Sequence, residues 1–511
     1  MTLITIASTP TNDTEVPIPL GSRVTHKFYE PLVLLAALND EMKQLNRAPA
    51  PEAPDKIDID DPEQLFHAFV NKLAHICDYN RGGDTVNSFV VLNNNVNPGK
   101  VHYWMAANRQ SDQELQATVA FVENILGLAG RAASEDLTSQ KEAKKAVLNS
   151  ILWFNRRRVG IYSRDIQSRA AVCLAQCAEG RTREDRLIAA ELKLLEHANV
   201  SANLNWKSTT ETDYLRTCEA LVRRLHQLNT SNIGAMIHSR AAEGRNMPGV
   251  PSKECWSELL HAIRRVLAYL HSMEFIFRAK DTWPQLFDSP EISFIPSSAR
   301  IPRPGRNKSM QADNIIGRMT RKEKDIQMFR DFVRGLQQFD LDERIRAQYD
   351  KDSFKPIVHS EVLLHNWIEF CHGEPGIIDP SSFFNGWMYI GASKPTCKLC
   401  AYYFDECRSG VGYRSSHGNL YTGWRFPDVL PSQGQRALDA RQVMVDRVLK
   451  RVRADAFLIV REKTPLSYKR LDTNTFTETA TIKEFFSVTE VDVRSDLDDV
   501  TSLMGEIDIN D

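Results

Sequence analysis

Long apolar runs are missing from this 511-residue chain, and so is any surplus of charge. No uninterrupted hydrophobic stretch approaches the roughly 20 residues that span a bilayer. The opening MTLITIASTPTNDTE has no basic segment and too short an apolar stretch for a signal peptide. A cytoplasmic or nuclear chain without membrane contact is the expectation. Lys and Arg number 64 against 66 Asp and Glu, a formal net charge of −2. A polyanion-binding protein normally leaves a basic footprint, and the composition as a whole carries none. The local runs Arg156-Arg157-Arg158 and Arg441 through Lys450, Arg451 and Arg453 read as solvated helix faces.

Cysteine is sparse too, nine residues and an odd number. Cys77, Cys173, Cys177, Cys218 and Cys255 are scattered, as free thiols are in a reducing compartment. Cys371, Cys397, Cys400 and Cys407 instead crowd into one segment, which favours metal chemistry over disulfides. At 42% hydrophobic and 25% charged, the remainder is ordinary for a globular chain with a large core.

Five stretches divide the chain. Residues 1–60, with APAPEAP and DKIDIDDPE, read as a poorly ordered lead-in. In 61–108, Asp61-Pro62 opens a helix carrying Leu65, Phe66, Phe69, Val70, Leu73 and Ile76 at three- and four-residue steps. Two β-rich runs follow, Val86–Leu92 and Val101–Asn108, around an Asn/Pro/Gly turn that predicts a hairpin. From 109 to 350 the periodicity is overwhelmingly helical and no repeat of fixed period emerges. Residues 351–465 predict a helix over 360–370, a buried strand over 383–391, a helix over 398–407 and a long amphipathic helix over 433–454. A further strand is expected at 456–460. Residues 466–511 read as a C-terminal segment ending in an acidic tail.

The chemistry concentrates in that fourth stretch. His359-Ser360-Glu361 is followed about 36 residues later by Pro395-Thr396-Cys397-Lys398-Leu399-Cys400. A His-x-Glu with a Cys-x-x-Cys is what a zinc-dependent deaminase requires. One imidazole and two thiolates fill three corners around a tetrahedral zinc, and the fourth stays open for water. Helix N-termini carry partial positive charge and free N–H groups, which favour thiolate over thiol at Cys397 and Cys400. Zinc would lower the water's pKa to about 7. The resulting hydroxide could attack an amidine-like carbon, with Glu361 carrying the proton to departing ammonia. A structural zinc closed by Cys407, Cys371 or His372 is the rival, but it has no use for a Glu two residues after its His. Reading Glu361 and His365 as a metalloprotease helix fails, because that motif requires His-Glu-x-x-His.

The order helix, strand, strand, His-x-Glu helix, strand, Cys-x-x-Cys helix resembles the cytidine-deaminase superfamily. More narrowly, HSEVLLHNWIE, YIGASKPTCKLC and SSHGNLYTGWRFPD resemble the fungal branch of the Orientia-type nucleic acid/nucleotide deaminase-like family. The likeness covers 354–430 closely and 61–108 more loosely. It implies an α/β fold, a three-layer α/β/α core with a large, mainly α-helical insertion or second lobe, and one zinc. Thr396 stands where the superfamily has Pro directly before the first Cys. The resemblance also implies that Asn108, ending the second strand, contacts substrate. In 412–427, Tyr413, Arg414, His417, Asn419, Tyr421, Trp424 and Arg425 could stack on and hydrogen-bond a base. His417 is the stronger functional candidate there, and Trp424 reads as a core anchor. The expected function is a zinc-dependent hydrolytic deaminase acting on a nucleobase in a nucleotide or single-stranded nucleic acid. The alternative is an inactive deaminase fold kept for interaction with other proteins, with a structural zinc.

Overall fold

The computed structural model describes residues 15–44, 58–94, 97–132, 136–180, 182–197, 207–243, 254–305, 309–336, 340–372 and 376–463. The acidic tail lies outside them, as does the whole Pro-rich stretch 45–57. The fold is mixed α/β, mostly helical, with one small five-stranded sheet.

The first surprise is α1 (Ser22–Gln44), where a poorly ordered lead-in was expected. Phe28, Tyr29, Leu32, Val33, Leu34, Leu35 and Leu38 are all at most 2% exposed, and the stretch from 28 to 39 is buried on every side. Such a stretch has no polar face and therefore no amphipathic signature. Pro31 in its interior also argues against a helix on local grounds. Burial overrides both, each large side chain contributing roughly 1.5–3 kcal/mol.

Helix α2 (Pro62–Cys77) is as predicted, with the Asp61 side chain accepting from the Glu63 and Gln64 amides. Strands β1 (Asn87–Asn93) and β2 (Val101–Ala107) form the expected antiparallel hairpin, Asn87 opposite Ala107. Helices α3 (Asp112–Gly130), α4 (Leu137–Phe154), α5 (Arg156–Glu179), α6 (Arg183–His197), α7 (Glu211–Thr230), α8 (Asn232–Glu243) and α9 (Cys255–Thr282) follow. The last is buried along most of its length and packs on α5, α4, α8 and α2. Then comes β3 (Glu291–Ile295), which the helical reading of this stretch did not anticipate; it pairs in parallel with β2. Helices α10 (Ala312–Met319), α11 (Glu323–Leu336) and α12 (Leu341–Asp350) complete the middle of the chain.

The C-terminal part supplies α13 (Ser360–Cys371), β4 (Tyr389–Ala392), α14 (Lys398–Cys407), β5 (Gly412–Tyr413) and α15 (Gly434–Glu462). Only the end of the expected 383–391 strand is extended, because Asn385 and Gly386 take positive φ and turn the chain. Residues 456–460 continue α15 instead of forming a strand, with Ala456, Ile459 and Val460 buried on its inner face.

The sheet order is β3-β2-β1-β4-β5. Ser88 lies opposite Ala392 and Phe89 opposite Gly391, so the hairpin and the strand before the Cys-x-x-Cys are neighbours. Helix α2 packs on β1 and β4; helix α13 packs on β1, β2 and β4. Gly391 permits the approach of α2: a Cβ there would fall 2.5 Å from Val70 Cγ1 and 2.9 Å from its carbonyl carbon.

Beneath the loop that follows α2, a buried ion pair joins the helical region to the sheet. Arg158 Nη1 meets Asp78 Oδ2 at 2.9 Å, with the two side chains 4% and 1% exposed. Thr85 donates to Asp78 Oδ1 at 2.6 Å and Arg158 Nε to the Tyr162 hydroxyl at 2.9 Å. Removing one partner would strand the other charge in a dry interior. Arg158→Ala is therefore expected to lower unfolding stability by about 3–5 kcal/mol in urea denaturation. A loss below about 1 kcal/mol, the scale of an exposed pair, would mean water reaches the site.

Candidate metal centre

Two helix starts carry the motif. His359 sits at the N-cap of α13 and Cys397 at the N-cap of α14. The 412–427 loop holds them together. Ile357 N–H donates to the Gly423 carbonyl, and Arg425 N–H to the Ile357 carbonyl, both at 2.9 Å. The same loop binds the other strand of the site: Thr396 N–H to Ser415 O at 3.1 Å, Lys398 N–H to Asn419 O at 3.0 Å.

His359 Nδ1 lies 3.5 Å from Cys397 Sγ and 3.4 Å from Cys400 Sγ. All three candidate ligand atoms fall within 4.8 Å of one another. A tetrahedral zinc with Zn–S near 2.3 Å and Zn–N near 2.0 Å separates its N and S donors by about 3.5 Å. These residues therefore fit a metal ion. The rival fourth ligands are elsewhere: Cys407 Sγ lies beside His365 at 3.7 Å, His372 stacks near Trp367, and Cys371 is exposed.

Both sulfurs are buried, and Glu361 is 5% exposed. Burial opposes charge on Cys397, yet hydrogen bonding with Cys400 and the His359 imidazole hold its thiol well below the ordinary value. Burial likewise opposes protonation of His359, and the Cys397 sulfur raises it above the usual imidazole range. Burial pushes the Glu361 carboxyl up. A Glu so shifted holds a proton more readily near neutral pH, as a proton shuttle must.

Trp424 is fully buried, and its indole N–H donates to Cys400 Sγ at 3.1 Å. Trp424 reads as a core anchor in the sequence, but nothing there reveals this N–H···S contact, which only tertiary packing creates. Donors to a ligand sulfur orient it and adjust its donor strength. Trp424→Phe is expected to weaken zinc binding about 10–100-fold, measured by competition with a chromophoric chelator. Unchanged affinity would show that the N–H plays no part.

His359, Glu361, Cys397, Asn108 and His417 all line one cavity of about 380 Å³. Asn108 links the sheet to α13: its Oδ1 accepts from Ser360 N–H at 2.8 Å and its Nδ2 donates to Gly83 O at 2.8 Å. His417 Nδ1 accepts from Asn419 N–H at 2.9 Å, which places the proton of the neutral ring on Nε2. Tyr421 also faces the cavity, its ring 6.3 Å from that of His359 and 36% exposed. Leu420, Thr422 and Gly423 of the loop line the cavity as well, while other loop side chains bond or stack within the fold. Tyr413 stacks on Phe404, Arg414 donates to Ala392 O, and Arg425 pairs with Asp428 at 2.6 Å. His365 lies within α13's buried face, its nitrogens bonded to Tyr403 and Ser409. Burial pushes it down to about 4.

Residues 358–428 match the profile of the OTT_1508-like deaminase family. This family is cytidine-deaminase-like, and the similarity is confined to that segment. No curated protein matches the chain, nor does any solved structure. The deaminase-family segment spans both helix N-termini and the loop that joins them, so it contains the whole His359, Cys397 and Cys400 cluster. Among the described residues no helix is long and apolar enough to cross a membrane.

Proposed function

We propose that the chain is a zinc-dependent hydrolytic deaminase acting on a nucleobase in a nucleotide or nucleic acid. One observation carries this reading: the three-donor cluster opens onto a cavity whose wall also holds the buried Glu361. A closed structural site has four protein donors, whereas a catalytic one keeps a corner for water. His359, Cys397 and Cys400 would hold the ion. When bound, zinc lowers the pKa of a water molecule to about 7 and so supplies a nucleophile at neutral pH. Glu361 would pass the first proton of water to the ring nitrogen as the carbon–oxygen bond forms, and then the proton of the new hydroxyl to the exocyclic nitrogen, so that the carbon–nitrogen bond breaks, ammonia leaves and a carbonyl remains. Asn108 keeps one N–H and one lone pair beyond its two backbone bonds, and these would contact substrate. His417 and the ring of Tyr421 would flank the base.

The packing of α2 and α13 on the sheet supports a three-layer core. Phe89 and Gly391 pair on the face that meets Val70 of α2, while Ser88, on the other face, bonds Ser360 of α13 at 2.8 Å. Residues 109–350 are then read as an insertion that also lends one strand, β3, to the edge of the core sheet.

The test is ammonia release by the zinc-loaded protein from a panel of nucleosides, nucleotides and oligonucleotides, with and without prior chelation. Metal-dependent release from one class supports the reading. Bound zinc with no release from any substrate would favour the interaction-protein alternative.

A further inference from the structure

The outer part of the same cavity is lined by Arg300, Lys351, Lys355 and Lys394, which the proposed reaction does not use. They come from three separate segments. Lys351 caps the end of α12 and Lys355 follows in the next turn. Arg300 lies on the extended stretch after β3, tied alongside by Ile301 N–H to Pro356 O at 3.1 Å. Lys394 precedes the Cys-x-x-Cys and donates to Gly82 O at 2.6 Å.

Two carboxylates other than Glu361 face these cations. Asp84 is already held by Arg109 at 3.1 Å and Arg300 at 3.6 Å, and Asp40 accepts from Gln348 at 3.0 Å. Lys351 donates to Gln348 at 2.6 Å, and neither it nor Lys355 makes an ion pair among the described residues. The rim therefore carries a surplus of positive charge over the cavity.

A bound strand would need a basic track leading away from the cavity, and the basic runs of the sequence do not provide one. Arg158 is buried against Asp78, Arg156 lies over Trp153, Arg441 donates to Ile18 O and Arg451 pairs with Asp405. A convergent cluster without a track among the described residues suits one phosphate group better than a polymer.

We propose that this rim binds the phosphate ester of a mononucleotide, the base reaching inward to Glu361 and the phosphate outward to Lys351, Lys355, Arg300 and Lys394. The proposal rests on the deaminase reading for the identity of the base end. It makes the substrate a nucleoside monophosphate, not a nucleoside or a nucleic acid.

Calorimetric binding tests it without turnover, using zinc-loaded protein in the Glu361→Gln background. The probes are nucleoside 5′-monophosphates, the matching nucleosides, inorganic phosphate and a short single-stranded oligonucleotide. The monophosphate of the accepted base is expected to bind about tenfold or more tightly than its nucleoside, as charge-assisted hydrogen bonds imply. Inorganic phosphate should compete. Lys355→Glu, an exposed change, should remove that advantage and leave nucleoside affinity unaltered. Equal binding of nucleoside and monophosphate, or equal weakening of both by Lys355→Glu, would overturn the proposal. So would an oligonucleotide that binds more tightly than the monophosphate with a steep salt dependence. These readouts are separate from ammonia release: phosphate preference without turnover by the wild type would sink the deaminase reading alone, and turnover without phosphate preference the rim alone.

Discussion

Replacing Glu361 by glutamine is expected to abolish ammonia release while leaving the metal and the fold in place. The amide keeps the size of the side chain and cannot shuttle a proton. General acid–base catalysis by one positioned group is worth roughly 10²–10⁴ in rate, and turnover should fall by that factor. Glu361 is not one of the three clustered ligands, so zinc content should stay unchanged. Its buried carboxyl, raised by desolvation, is replaced by a neutral group, so thermal stability should hold or rise slightly. Glu361→Ala should lose as much activity. A variant active within a factor of a few of the wild type would remove Glu361 from the chemistry.

Removing the metal is expected to have the largest effect on stability. Cys397 and Cys400 belong to the buried apolar cluster that also contains Phe28 and Leu32 of α1, Val362 of α13 and Val448 of α15. Without an ion, two sulfurs and an imidazole with opposed charge preferences remain packed in that interior. At free zinc a thousandfold above its dissociation constant, binding to the folded state alone adds about 4 kcal/mol. Chelation should lower the melting temperature and zinc should restore it. Cys400→Ser should melt near the chelated wild type and respond little to zinc. Identical melting curves with and without chelator would show that the cluster holds no ion under those conditions.

The cluster of His359, Cys397 and Cys400 was legible as a candidate metal centre because that chemistry fixes both residue type and spacing. His359 and Glu361 stand two apart at a helix start, and Cys397 and Cys400 three apart at another. The hairpin and α2 were equally clear, since alternation and capping are local signals. Helix α1 was not, because burial on every side erases periodicity and Pro31 misleads. Strand β3 was missed for a similar reason. Its five residues sit between long helical patterns, and its partner, β2, lies far away in sequence. The loop over 412–427 shows the same limit at the site. Its aromatic and basic residues suggested ligand contacts as a group, yet the fold directs His417 and Tyr421 to the cavity, while Trp424 bonds Cys400 at the start of α14, Tyr413 bonds Asp405 near that helix's end and Arg425 bonds the Ala299 carbonyl. Nor could spacing reveal that Arg300, Lys351, Lys355 and Lys394 converge on one rim.

X-ray absorption at the zinc edge of the purified full-length protein tests the centre most directly. The account predicts about one zinc per chain, with two sulfur donors near 2.3 Å and lighter donors near 2.0 Å completing a tetrahedral shell. His359→Ala should strip the ion. A shell of three or four sulfurs, or wild-type protein that takes up no zinc, would contradict it.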